Sequence, residues 1–422
     1  MVGSEVRPQL TDLQKSYLVG RELKRSLGGV ACHTYLEFDG ADVDGARLRR
    51  AWKRLTARHA MTRARVDKDG DLRIGSDAGN NTFWLIDARE HDDENVRGLL
   101  DDCRKNFSHR IMDLSRGQGC GLVLVLLPAG RSRMCFDVDL VLCDVNGFQE
   151  LLGELARIYE DPDCALPPLI WGGAPSVRDF NVVEVDSLVP SFAFGKNAAG
   201  LSGCRYRSLD ERFDEASRER LQALFEGAGS DLFCGMLACL AKTAASGNRD
   251  GFVANIPWFA PAPDGEDPVR DLTELVWLSV ERTAERDAVA LAREIRAGFL
   301  EQRASARPTR YACSDSLVPL VYSFNQNGTF IGDTFRAAFG DLTYMISQTP
   351  NVCLDAQFFL LNDGLLTSWV FPQEMEGAGE IEAWFERFSK LVHELLARPA
   401  AGAGAGAAAA VCEGRESGEE RR

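Results

Sequence analysis

The stretch from Met134 to Glu150, MCFDVDLVLCDVNGFQE, constrains this chain more than any other. Phe136, Val138, Leu140 and Leu142 alternate with Asp137, Asp139, Val141 and Cys143, the period-2 pattern of a strand. Asp144, Val145, Asn146 and Gly147 interrupt it with turn and cap residues. Phe148, Leu151, Leu152, Leu155, Ile158 and Tyr159 then recur at helical spacing. The local order is strand, tight acidic turn, helix. A carboxylate inside an apolar strand is costly unless it is paired, hydrogen-bonded or used in chemistry. Two readings are open for Asp139 and Asp144: a salt-bridged strand end followed by a helix N-cap, or an acid–base pair.

A chain of 422 residues that is 45% hydrophobic and 26% charged can bury a sizeable core and holds two ordinary domains or one large two-lobed unit. Its net charge of −15 argues against a nucleic-acid or anionic-membrane partner. Residues 1–17 lack the apolar core of a signal peptide, and no apolar run reaches transmembrane length, so a cytoplasmic protein is expected. Twelve cysteines without CxxC pairs and five unclustered histidines suit core thiols in a reducing compartment, with no metal centre.

Helical and strand patterns alternate along both halves. Helices are expected over residues 11–23, 45–59 and 93–106, with strands over 31–38, 62–67, 120–127 and 134–142, the last two a hairpin around Pro128-Ala129-Gly130. Pro- and Gly-rich residues 161–176 mark a lobe boundary, and poorly patterned residues 176–203 a connector. The second half restarts at Cys204 and ends in a helix over 381–397, after a hairpin around Asn362-Asp363-Gly364. The pattern predicts two α/β lobes, residues 1–175 and 204–398, and a disordered Ala/Gly and charged tail over 399–422.

Four stretches carry a resemblance. Leu10-Thr11, Gln14, Tyr17, Gly20 and Arg21 are similar to an L-T-x-x-Q-x-x-Y-x-x-G-R motif, and Arg58-His59, Met61 and Arg63 to R-H-x-M-x-R. Asp139 and Asp144 occupy the aspartate places of D-x-x-x-x-D-x-x-S. Ile346-Ser347-Gln348-Thr349-Pro350, Val352, Leu354-Asp355 and Gln357 follow I-S-Q-T-P-x-V-x-L-D-x-Q. In this order and spacing, over residues 8–397, the chain resembles the heterocyclization (Cy) domain of nonribosomal peptide synthetases, a branch of the condensation-domain superfamily. The resemblance implies two chloramphenicol-acetyltransferase-like lobes in a V-shaped pseudo-dimer with a central tunnel. It also implies peptidyl or acyl carrier proteins that present thioesters on 4'-phosphopantetheine, with no bound cofactor. A monomer acting in trans, as a stand-alone member in antibiotic-type natural-product biosynthesis, is expected. Condensation with Cys, Ser or Thr would be followed by closure to a thiazoline or oxazoline. Condensation alone, chain release and a non-catalytic docking platform stay open as alternatives.

The same resemblance implies the site. Asp355 matches the family's implicated aspartate, and Pro319-Leu320-Val321-Tyr322-Ser323-Phe324 aligns with P-V-V-F-T-S, placing Ser323 at its threonine. Gln348, Gln357, Asn255 and Tyr322 are expected to line the tunnel. Asp139, Asp144, Gly147 and Arg63 are expected as structural motif residues, with Arg63 or Arg65 pairing the aspartates. Ordinary condensation domains carry H-H-x-x-x-D-G at the opening stretch; none of residues 134–150 is histidine, so a histidine-based mechanism is excluded there. Gly147 for Ser, Phe324 for Ser, shortened segments between Ser305 and Leu317 and over 180–203, and the segment at Trp369-Val370 depart from the family, and are expected to gather on the tunnel side.

Overall fold

The computed structural model describes residues 9–75, 81–171, 181–185, 197–244, 251–281, 286–313 and 318–399. The first half runs α1 (Asp12–Glu22), β1 (His33–Ala41), α2 (Gly45–Arg58), β2 (Ala64–Val66), β3 (Leu72–Ile74), β4 (Thr82–Asp87), α3 (Asp93–Phe107), β5 (Cys120–Leu126), β6 (Arg131–Asp139) and α4 (Val145–Glu160). After β7 (Asn181–Val185) come β8 (Tyr206–Asp214), α5 (Glu215–Gly227), α6 (Leu232–Ala244), β9 (Gly251–Phe259), β10 (Thr273–Glu281) and α7 (Ala288–Ala304). The chain closes with β11 (Thr309–Cys313), β12 (Val318–Asn325), α8 (Asp333–Phe339), β13 (Asp341–Gln348), β14 (Val352–Leu361), β15 (Gly364–Pro372) and α9 (Ala378–Leu396). Among these helices no single one is long and apolar enough to cross a membrane.

Two sheets organise the lobes. The first has the order β13-β1-β6-β5-β4 and the second β10-β9-β12-β14-β15-β8. On one face of the first sheet α2, α4 and α8 bury Leu48, Trp52, Leu151, Leu155 and Phe335 against Leu36, Phe136 and Leu122. Each such side chain is worth about 1.5–3 kcal/mol relative to leaving it in water. On the other face α3 packs Val96, Cys103 and Phe107 against Val123 and Cys135. The second sheet buries Leu320, Tyr322, Leu354 and Phe358 under α5, α6, α7 and α9.

The opening stretch folds as read, with an earlier end to its strand. β6 stops at Asp139 because the aspartate accepts the amide of Val141 (3.1 Å) on its side chain and that of Leu142 (2.9 Å) on its carbonyl, which turns the chain. Asp144 then caps α4, accepting from Asn146 and Gly147. Sequence order would put residues 204–398 in the second lobe, yet β13 lies in the first sheet, pairing antiparallel with β1 from His33↔Gln348 to Asp39↔Asp341. Within the expected connector, residues 181–185 form β7 and pair in parallel with β11. The tail, except Pro399, lies outside the described residues.

Candidate active site

A cavity of about 700 Å³ lies between the uncovered face of the second sheet on one side and α1, the turn after β6 and the β13–β14 segment on the other. Strand alternation decides which side chains reach it. From β12 these are Val321, Ser323 and Asn325; from β14, Asp355, Gln357 and Phe359; from β9, Asn255, Pro257 and Phe259. Across from them stand Tyr17, Cys32, Asp144, Ser347 and Thr349, with Asp271 from the loop before β10.

Asp355 and Ser323 meet in this cavity. β12 and β14 run in parallel with Ser323 opposite Gln357, so Asp355 lies diagonally across from the hydroxyl. Ser323 Oγ donates to Asp355 Oδ1 at 2.9 Å, and Gln357 Nε2 donates to Oδ2 at 2.8 Å. Gln357 Nε2 also reaches the Ser347 carbonyl at 3.2 Å; two acceptors on one atom fix the orientation of its amide. Burial pushes the Asp355 carboxyl up to about 6, although both hydrogen bonds oppose the shift. A carboxyl in that range, buried and held by a hydroxyl and an amide, can accept or return a proton near neutrality.

Two more carboxyls share the cavity wall. Asp144 is pushed up to about 7 by burial and by the neighbouring charge of Asp271, against its hydrogen bonds from backbone amides. Asp271 is pushed up to about 6 by burial, with Thr273 and Thr11 opposing. The opening motif locks onto these residues. Gln14 Nε2 donates to the Val141 carbonyl at 2.8 Å, Arg21 pairs with Asp139 at 2.5 Å, and Gly20 leaves room for Pro350, whose Cγ a Cβ would meet at 2.6 Å.

Asn255, Gln357, Ser323 and Asp355 line the cavity as expected, and four other placements need correction. Tyr322 points away from it: adjacent strand residues face opposite sides, and its hydroxyl donates to the Phe233 carbonyl at 2.6 Å inside the helix-covered core. Gln348 is likewise turned out between the lining residues Ser347 and Thr349, and donates to the Ala31 carbonyl at 3.3 Å. Arg63 bonds the Gly75 carbonyl; the partner of Asp139 is Arg21, and Asp144 is held by the backbone amides of Asn146, Gly147 and Leu272. Gly147 lies off the cavity, where a Cβ would meet Cys143 Cβ at 2.7 Å and the Pro268 carbonyl at 2.8 Å. Of the residues not singled out as site residues, Tyr17 sits inside the opening motif, and Asn325 was readable as two positions beyond Ser323 on one strand face; Asp271, in the loop before β10, lies outside the four motif stretches.

No family model matches the chain. Phenyloxazoline synthase MbtB of Mycobacterium tuberculosis is 31% identical over 434 residues, covering 93% of this chain and 30% of that protein. Pyochelin synthetase PchE of Pseudomonas aeruginosa is 29% identical over 423 residues, covering 92% and 29%. The cyclization-docking bidomain of EpoB from Sorangium cellulosum superposes with a TM-score of 0.76 at 23% identity, over 93% of this chain and 86% of that one. Over nearly its whole length the chain is similar to a segment of these synthetases, and its fold is that of cyclization and condensation domains. The condensation domain of the monacolin K polyketide synthase MokA shares the fold at a TM-score of 0.65 and 12% identity. The two-lobed α/β architecture expected from the sequence is that of these domains. The chain spans about 30% of the length of the curated relatives it matches.

Within this fold the departures at Gly147, Phe324 and Trp369 lie off the cavity. Phe324 stacks on Phe358 in the helix-covered core (ring centroids 5.9 Å apart) and Trp369 packs against Phe385 and Phe388, whereas Val370 is the direct cross-strand neighbour of Asp355 and shares its sheet face. Ser323 faces the cavity, as does Arg310 in the shortened segment after α7; residues 186–196 and 314–317 of the shortened segments lie outside the described residues.

Proposed function

We propose that this domain joins a carrier-bound acyl or peptidyl group to the amine of a carrier-bound Cys, Ser or Thr, and then closes the product to a thiazoline or oxazoline. In the first stage the amine attacks the upstream thioester carbonyl, the C–N bond forms and the carrier thiol leaves. In the second, the thiol or hydroxyl of the new residue adds to its own amide carbonyl, and the hemiaminal loses water. Both substrates arrive on phosphopantetheine arms.

The observation that carries this reading is the Ser323–Asp355–Gln357 array inside the cavity. Asp355 takes the proton from the attacking group and returns it to the departing oxygen, which a carboxyl titrating near 6 can do in both directions. Ser323 holds that carboxyl, and Gln357 keeps it turned toward the cavity. The phenyloxazoline synthase name of a relative agrees with ring closure. A second reading, condensation without ring closure, rests on Val370, which stands at the family's aspartate and is the cross-strand neighbour of Asp355.

The test is intact-mass analysis of carrier-bound product, with the domain and carriers supplied as separate proteins. Condensation followed by closure loses one more water than condensation alone. The expected outcome is that additional loss in the wild type and its disappearance in Asp355→Ala. Cyclized product at wild-type yield from Asp355→Ala would sink the assignment.

A further inference from the structure

Asn325 is 2% exposed and lines the cavity, yet both polar atoms of its side chain, Oδ1 and Nδ2, have no hydrogen-bond partner. A buried carboxamide with neither end satisfied is expensive, and native cores seldom keep one without a use. Its surroundings do not supply a partner: Phe359 is its neighbour across the strand pair, Phe330 packs on Phe359 with ring centroids 4.5 Å apart, and Phe148 and Phe259 complete this apolar side of the cavity. On β12 it stands two residues beyond Ser323, about 6.6 Å along the strand on the same face. Gln357 Oε1 and Asn255 Oδ1 are also buried without partners on this face, so the cavity wall holds a set of amide groups waiting for a polar ligand.

The chemistry of that ligand follows from the atoms. A carboxamide offers one donor and one acceptor side by side, which matches the N–H and C=O that one extended residue points in the same direction, as in a hydrogen-bonded antiparallel pair. A simple acyl chain has nothing to return to both atoms. Resting on the reaction proposed above, we propose that Asn325 is a positioning and specificity-determining residue that clamps an amide-bearing, extended segment of the carrier-tethered substrate, and so sets the thioester beside Ser323 and Asp355. The amide is either in the peptidyl chain itself or in the pantetheine arm.

Calorimetric binding of inert pantetheine thioethers to the wild-type chain and to Asn325→Leu tests this. The parent probe carries an N-acetyl-aminoacyl chain. A second probe has methylenes in place of the chain's amide, and a third has methylenes in place of the arm amide nearest sulfur. The wild type is expected to bind one of the two altered probes up to about tenfold more weakly than the parent, the worth of one neutral hydrogen bond, because the N–H and C=O that an extended residue turns to one side belong to two successive amides. Asn325→Leu is expected to bind that probe and the parent alike. Loss with the second probe assigns the chain amide, and loss with the third assigns the arm. Equal binding of all three by the wild type, unchanged discrimination in Asn325→Leu, or no binding of the parent at millimolar concentration would each overturn the proposal.

Thermal stability separates this role from a structural one. Losing an unsatisfied buried amide should leave the melting temperature of Asn325→Leu equal to or above that of the wild type, and a fall of several degrees would contradict a ligand-directed side chain. Asn325→Ser, which adds no bulk, should show the same loss of discrimination. Discrimination with no turnover in the wild type would refute the proposed reaction and leave the clamp standing.

Discussion

At the scale of the residue, Asp355 couples reactivity to instability. Its folded-state pKa of about 6 lies above the ordinary 3.8, so the folded protein holds this proton more tightly than the unfolded chain. Stability therefore falls as pH rises from about 4 to about 6, and the cost stays in place above that. Asp355→Asn should be more stable than the wild type at pH 8, by at most about 3 kcal/mol, and the difference should vanish below pH 4. Urea titrations at the two pH values measure it. If the ionised carboxylate is the base, the rate falls on the acid side below about pH 6. Ser323→Ala removes one hydrogen bond that favours the charged form, so its acid limb should move to higher pH, with a rate loss on the order of a hundredfold. Ser323→Thr should stay active, because the hydroxyl that reaches Asp355 is kept. The residues of this site were legible by type and motif. Their partners were not: nothing local to Asp139 identifies Arg21, which comes from a helix 118 residues earlier in the chain.

At the scale of the element, the strands and helices with clear periodicity were readable and their faces less so. Tyr322 and Ser323 are neighbours on β12 and cannot both face the cavity; motif membership hid what the period-2 rule requires. β4 escaped notice because Phe83-Trp84-Leu85-Ile86 does not alternate, and as an edge strand it leaves Trp84 and Leu85 partly exposed. α8 is only seven residues long and begins at Gly332 without a side-chain cap, so it carries little signal. Gly147 shows the converse, a residue whose reason is purely steric. Restoring the family's serine by Gly147→Ser would force α4 away from Pro268 and Val269. The expected cost is about 1–3 kcal/mol in urea denaturation.

At the scale of the whole molecule, two devices tie the lobes together. His59 at the end of α2 is fully buried, with Nδ1 2.8 Å from Asp267 and Nε2 3.0 Å from Glu154, which joins the β9–β10 loop to the first lobe. Burial works to lower its pKa, but the two carboxylates outweigh that and raise it above 6.5. The stabilisation is thus fully present below about pH 6.5 and fades as pH climbs through the raised value. His59→Ala should cost about 3 kcal/mol at pH 6, and the gap from wild type in thermal melts should narrow as pH increases. The second device is β13, whose Gln348 reaches back to Ala31, 317 residues away. Residues 1–203 produced alone should lack a cooperative unfolding transition by circular dichroism, because β1 would be left as an open edge.

That strand also imposes a timetable on the ribosome. A nascent chain emerging at roughly 5–20 residues per second exposes β1 long before its outer neighbour has been translated. The first lobe must then wait until β13 has been read, its central sheet unfinished and prone to pair with the wrong partner. Chaperone demand for this protein should peak during that interval, and a stop codon placed just before β13 should yield aggregate in place of a soluble first lobe.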